Sequence, residues 1–155
     1  MTGPARGMTT DAATHGRFGL AMAILAAAGA AIAAFLTWQH VAGTIPPCGP
    51  VRGCETVLTS AYASIAGVPV ALPGTLVSLA TLGGALAWWL RADRRGLVLA
   101  YLSGVASVAA LGYFTYLEIA VIHAICAWCV IYALTVLVGW ILALVAYRST
   151  RDAEA

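Results

Sequence analysis

Four cysteines are the residues of this chain best equipped for chemistry, and they fall into two local pairs, Cys48 with Cys54 and Cys126 with Cys129. The second pair lies in Ile125-Cys126-Ala127-Trp128-Cys129-Val130 and opens an apolar run that reaches Tyr147. A run of that length can cross a bilayer, which takes about 20 residues. Residues three apart share one face of a helix. Cys126 then sits near a helix N-terminus, where the positive end of the macrodipole favours a thiolate, and Cys129 lies one turn deeper, nearer the lipid core. An outer sulfur that exchanges with another thiol and an inner sulfur that addresses an apolar oxidant would make a relay. Tyr132 continues the stripe three residues beyond Cys129, and its hydroxyl could hydrogen-bond a carbonyl of a bound ring. As an ordinary interior aromatic it would do nothing more than pack.

Cys48 and Cys54 belong to the longest connection between apolar runs. It opens with Gly43, Pro46, Pro47, Cys48, Gly49 and Pro50, residues that break helices and make turns. One reading is a static disulfide that staples the loop. The other is a shuttle disulfide on a segment hinged by Gly43, Gly49 and Gly53, able to swing toward Cys126 and pass electrons through mixed disulfides. Four cysteines allow three pairings. They could also be small apolar packing residues, or hold zinc or an iron–sulfur cluster, although an outward-facing, membrane-embedded pair is an awkward metal site.

The elements that must position these sulfurs follow from composition. Of 155 residues, 62% are hydrophobic and only 9% charged, against about a quarter charged in a soluble domain. The chain therefore reads as an integral membrane protein. Its fold class is all-α: a four-transmembrane-helix bundle with an outer loop and an interfacial half-helix. The expected spans cover about 18–41, 68–90, 96–119 and 126–147. A polar N-terminal tail occupies 1–17, the outer loop and half-helix 42–67, and a second tail 148–155. The first run continues through Phe35, Leu36 and Trp38, past the usual apolar core of a signal peptide, so it is taken as an uncleaved span. After Cys54, the apolar positions Val57, Leu58, Ala61 and Ile65 suggest the half-helix. Pro69 and Pro73 fall in the first turns of the second span, where missing N–H groups do least harm. Among polar residues near the third span, Glu118 reads chiefly as a carboxylate snorkelling to the interface, though an ionisable residue there is a functional candidate. His123 could exchange a proton near the thiols.

Every basic residue is arginine. With four spans, Arg6, Arg17, Arg91, Arg94, Arg95, Arg148 and Arg151 share one side and Arg52 alone lies on the other. The positive-inside rule puts the seven in the cytoplasm, with both termini, and turns the cysteines outward. In a bacterial inner membrane that face is oxidising and permits disulfide chemistry. The net charge of +2 comes with no basic cluster able to track a phosphate backbone, so no nucleic-acid partner is expected.

Taken in order, these features resemble the vitamin K epoxide reductase family in its bacterial disulfide-forming branch. The resemblance runs from about residue 18 to 147. It is carried by Cys48-x₅-Cys54, by Glu55-Thr56-Val57-Leu58-Thr59-Ser60, by Ala66-Gly67-Val68-Pro69 with Gly74 beyond, and by His123-Ala124-Ile125-Cys126-Ala127-Trp128-Cys129. It implies a four-helix bundle around a quinone, menaquinone or ubiquinone, with no metal. By resemblance, Cys48 should meet a partner protein, Cys54 should exchange with Cys126, and Cys129 should pass electrons to the quinone. Ser60 should lie near the active site, and Ser60, Tyr132 and Cys129 are the candidate quinone contacts. Many bacterial members carry a fused thioredoxin-like domain. This chain ends soon after the fourth span, so the implied partner is a separate thioredoxin-like oxidoreductase on the outer face.

The animal enzymes use an asparagine near the quinone, and this chain has none. That favours simple quinone reduction over epoxide reduction. The implied function is thiol:quinone oxidoreduction that drives disulfide formation in exported proteins. The alternatives are a cysteine-based membrane metal-ion transporter, and an epoxide or quinone reductase with no role in protein disulfide formation. The unrelated bacterial disulfide-bond formation protein B also has four spans and two cysteine pairs. There the Cys-x-x-Cys precedes the wider pair, whereas here it follows.

Overall fold

The apolar runs form four long helices in the computed structural model, which describes residues 5–49 and 53–152, with side chains from residue 15 onward. Pro50 and Arg52, residues 1–4 and 153–155, and the side chains of Arg6 and Asp11 lie outside the described residues. Helix α1 covers Ala5–Val41, α3 Ala71–Arg91, α4 Arg94–Tyr116 and α5 Ala127–Asp152; a short helix α2, Cys54–Leu58, lies in the outer loop. All four long helices are long and apolar enough to cross a membrane, the first over His15–Val41. The chain is a multi-pass membrane protein. Helix α1 begins well before Phe18, where the sequence reading starts the first span. No proline interrupts 5–17, and Met8, Ala12 and Ala13 are good helix formers.

Each long helix packs on two others, α1 on α3, α3 on α4, α4 on α5 and α5 on α1, so the four close a ring. Glycines set several seams. A Cβ at Gly19 of α1 would meet Trp89 of α3, one at Gly84 of α3 would come within 2.6 Å of the Gly96 carbonyl oxygen of α4, and one at Gly104 of α4 would meet Trp140 of α5. Small residues allow such close approach where lipid supplies no hydrophobic drive between helices. The end of the bundle bearing Arg17, Arg91, Arg95 and Arg148 is solid: Met22, Ala23, Ala85, Trp88, Leu97, Ala100, Ala143 and Ala146 form one buried cluster. Tyr101 stacks on Tyr147 at 5.1 Å, and His15 meets Trp88 edge-on at 4.4 Å.

The loop between α1 and α3 holds the expected short helix after Cys54, but it is shorter than the apolar spacing out to Ile65 suggests. Helix α2 is only five residues long. The Thr59 and Ser60 hydroxyls donate to the carbonyls of Glu55 and Val57, a local competition that ends short helices. The chain then makes a small hairpin, β1 (Ser64–Ile65) against β2 (Val68–Pro69). Its turn residues Ala66 and Gly67 take φ of +51° and +81°, the pair of positive φ angles that a tight two-residue hairpin turn requires. The Ala61 and Ile65 spacing mimicked a helix, but Ala66-Gly67 supplies the turn. Because Val68 and Pro69 are taken up by β2, the second span begins at Ala71 and not at Val68, and Pro73 alone lies in its first turn.

At the third span α4 passes into a π-helical segment, Leu117–Ile122, which ends at His123 in the left-handed conformation, φ +54°. Such wide turns concentrate at functional sites. The fourth helix starts at Ala127, so Cys126 stands just ahead of it and not inside it.

Candidate active site

The start of α5 is built by sulfur. Cys126 occupies the capping position. Its carbonyl accepts from the Val130 amide at 3.0 Å, and its Sγ accepts from the Cys129 amide at 3.3 Å, as a serine oxygen would at a helix N-cap. The side chain is completely buried. Hydrogen bonding with the Cys129 thiol holds the Cys126 thiol below the ordinary thiol range, against the opposing effects of burial and the Glu118 carboxylate. A sulfur so held ionises readily and leaves readily from a mixed disulfide. Cys126 and Cys129 are free thiols, whereas Cys48 and Cys54 form a disulfide with a Cα–Cα separation of 5.8 Å.

The two pairs touch. Cys54 and Cys126 are both fully buried and share one apolar cluster with Val57, flanked by Cys48, Ile122, Ala127, Trp128 and Cys129. Two contacts press the loop onto the Cys-x-x-Cys turn. Gly53 lies so close to the Ile125 backbone that a Cβ there would overlap its carbonyl oxygen and come within 2.7 Å of its nitrogen. Trp128 Nε1 donates to the Pro47 carbonyl at 3.1 Å, and its ring lies 5.2 Å from Phe35 of α1. The loop glycines therefore divide. Gly43 and Gly49 adopt positive φ angles of +66° and +60°, while Gly53, expected as a hinge, is a contact point. Cys48, one residue after Pro47, is half-buried and is the more exposed member of its pair.

Behind Cys129 a cavity of about 240 Å³ opens in the cysteine half of the bundle. Its wall is almost wholly apolar, with Leu36, Val77, Leu111 and Phe114 among its residues; the polar groups on it include Ser60, Ser107, Glu118, Cys129 and Tyr132. Three candidates from the sequence, Ser60, Cys129 and Tyr132, thus face one space. Cys126 lies on the other side of Cys129, toward the loop. Tyr132 is held by α3: its hydroxyl donates to the Gly74 carbonyl at 3.3 Å and lies 3.1 Å from Ser78 Oγ. The Ser60 hydroxyl donates to Val57 and keeps its acceptor lone pairs for another group.

Glu118 overturns its reading as a snorkelling carboxylate. It is 8% exposed, and its Oε2 accepts from the Cys126 amide at 3.2 Å, while its backbone carbonyl accepts from the Ala124 amide at 3.0 Å. The signal was present in the sequence as the single carboxylate within the third apolar run, but the π-helical turn that rotates it inward was not. His123 is exposed, and its Nδ1 donates to the Ile119 carbonyl at 3.0 Å. Trp128 was legible as part of the motif but not as the anchor of the loop.

A cavity that is apolar, walled by few polar groups and reached by one sulfur of a dithiol suits a flat carbonyl-bearing ring better than a charged or sugar-like ligand. The model of the vitamin K epoxide reductase family matches residues 20–144. No curated protein matches the chain.

Proposed function

The chain belongs to the vitamin K epoxide reductase family of quinone-dependent thiol–disulfide oxidoreductases, and we propose that it carries two electrons from a thioredoxin-like dithiol partner to a lipid-soluble quinone. The observation that carries this reading is the contiguity of the sulfurs. Half-exposed Cys48 is bonded to buried Cys54, Cys54 packs beside Cys126, and Cys126 is hydrogen-bonded to Cys129 on the cavity wall.

In this reading Cys48 receives the partner's thiolate and releases Cys54; the partner's second thiol then breaks that mixed disulfide, leaving the partner oxidised and Cys48 free. Cys54 attacks Cys126 when Cys126–Cys129 is oxidised, Cys48 then resolves the mixed disulfide, and the loop disulfide re-forms while both thiols of the Cys-x-x-Cys are left reduced. A bound quinone, menaquinone or ubiquinone, supplies a sink for two electrons and two protons. Cys129 faces it, and Ser60, Tyr132 and the apolar wall hold its ring. The apolar tail finds a way to lipid past the small, exposed Ala106 and Ala110 of α4. The positive-inside rule supports an orientation with the arginine end in the bacterial cytoplasm and the cysteines in the oxidising outer compartment, where the activity drives disulfide formation in exported proteins.

The test is a trapping series in the purified, detergent-solubilised chain with a reduced thioredoxin-like protein and a soluble quinone analogue. Cys129→Ser should abolish quinone reduction, because Cys126 is left with no second sulfur to form a disulfide. Cys48→Ala should abolish oxidation of the partner yet leave quinone reduction by a pre-reduced Cys126–Cys129 pair intact. Partner oxidation at the wild-type rate in either variant would sink the relay.

A further inference from the structure

Glu118 is a buried carboxylate with nothing in the relay yet to do. It sits on the π-helical segment and meets both the Cys-x-x-Cys turn and the cavity. Its Oε2 accepts from the Cys126 amide at 3.2 Å, three residues before Cys129, and it forms part of the cavity wall together with Cys129. Among the described residues no other carboxylate lines that cavity, and its other ionisable residues are Tyr62, Tyr132 and Cys129. From α2 the neighbouring sulfur is Cys54, tied up in the loop disulfide; α1 and α3 present only uncharged side chains, among them Ala33, Leu36, Gly74 and Val77. His123 and Glu55 are exposed.

We propose that Glu118 is the proton acceptor for Cys129 and the group that carries this proton into the cavity. The inference rests on the thiol:quinone reading above. Oxidation of Cys126 and Cys129 to a disulfide releases two electrons and two protons, and conversion of a quinone to a quinol takes up the same two of each. The protons need a path that the electrons do not. A thiol in an apolar cavity that lost its proton to no local base would place a bare charge where desolvation is costly. Next to an ionised carboxylate it would place two negative charges side by side. Transfer of the Cys129 proton to Glu118 avoids both, because one negative charge moves from oxygen to sulfur and the total stays the same. The Cys126 amide stays partnered by an oxygen of the carboxyl group, so the helix start is held throughout. The protonated carboxyl, on the cavity wall, then delivers the proton to the reduced acceptor and becomes a carboxylate again.

Two opposed expectations make this testable. A bystander carboxylate repels the Cys129 thiolate, so its removal would speed thiolate reactions. A carboxylate that takes the proton promotes them, so its removal slows them. The substitution Glu118→Gln keeps an oxygen for the Cys126 amide and removes the base; Glu118→Asp restores the base. In the quinone-free chain carrying Cys126→Ser, alkylation of Cys129 by uncharged monobromobimane should slow about tenfold or more at pH 7 with Glu118→Gln. It should recover in Glu118→Asp, and rise with pH in Glu118→Gln as hydroxide takes the place of the lost base. In the chain with all four cysteines, quinone reduction by the pre-reduced pair should fall about 100-fold with Glu118→Gln, the lower end of general acid–base effects. Unchanged or faster alkylation in Glu118→Gln overturns the role. Failure of the wild-type chain itself to reduce a quinone overturns the thiol:quinone reading, and this role with it.

Discussion

Trp128 joins the two redox pairs through one side chain. Its indole N–H donates to the Pro47 carbonyl, one residue before Cys48, and its ring rests beside Phe35. It thereby fixes the loop disulfide over the Cys-x-x-Cys turn that Trp128 itself belongs to. Trp128→Phe keeps the aromatic packing and removes the donor. A hydrogen bond of this kind contributes about 0.5–1.5 kcal/mol net, so exchange between the Cys48–Cys54 and Cys126–Cys129 pairs should slow about 2- to 10-fold. Quinone reduction by the pre-reduced Cys126–Cys129 pair should not change. Rapid acid quenching and thiol labelling separate the two steps; an exchange rate equal to wild type would show that the anchor does not set the approach of the sulfurs.

The approach itself belongs to α2 and the turn before α5. Gly53 stands just ahead of α2 and meets the Ile125 backbone, so the two cysteine-bearing starts are held at backbone contact. Gly53→Ala puts a methyl group where Ile125 already lies. Either α2 or the turn must shift, at a cost of about 1–3 kcal/mol for such overpacking. The expected result is a drop of tenfold or more in Cys54–Cys126 mixed-disulfide formation in a Cys48→Ala background, read by non-reducing electrophoresis, with Cys129 still reactive in the cavity.

Much of this element-level plan was legible before the structure. The four apolar runs, the turn at Arg91–Arg95 and the order of the cysteine pairs all appear in the residues, since span length and charge distribution are written directly in composition. What stayed hidden depends on non-local contact. The helical spacing of Val57, Leu58, Ala61 and Ile65 was outweighed by the Thr59 and Ser60 back-bonds and by the Ala66-Gly67 turn. The inward turn of Glu118 came from a π-helical segment that its sequence does not announce. Gly53 read as a hinge because a glycine chosen for close approach looks the same in sequence as one chosen for freedom.

Across the whole molecule the bundle is solid at one end and hollow at the other. The arginine end packs alanines and glycines around Trp88, Leu97 and Met22, while the same four helices part at the cysteine end to leave the cavity. A hollow between helices lacks contacts that would otherwise stabilise the fold, so the closed end must hold the helices in register for both. The crossing of α3 and α4 at Gly84 and Gly96 is the tightest place to test this. A Cβ at Gly84 would lie 2.6 Å from the Gly96 carbonyl oxygen and 2.9 Å from the Ala100 nitrogen, whereas its neighbour Gly83 is exposed with nothing within 4 Å. Leucine at either position gains helix propensity of up to about 1 kcal/mol over glycine, so propensity alone predicts the same stabilisation at both. Packing predicts opposite outcomes: Gly83→Leu should leave the melting temperature in detergent unchanged or raised, and Gly84→Leu should lower stability by about 1–3 kcal/mol as α3 and α4 are forced apart. Equal melting temperatures in the two variants would mean that the closed end yields to insertion, and that the cavity end is held by its own loop and cysteine contacts instead.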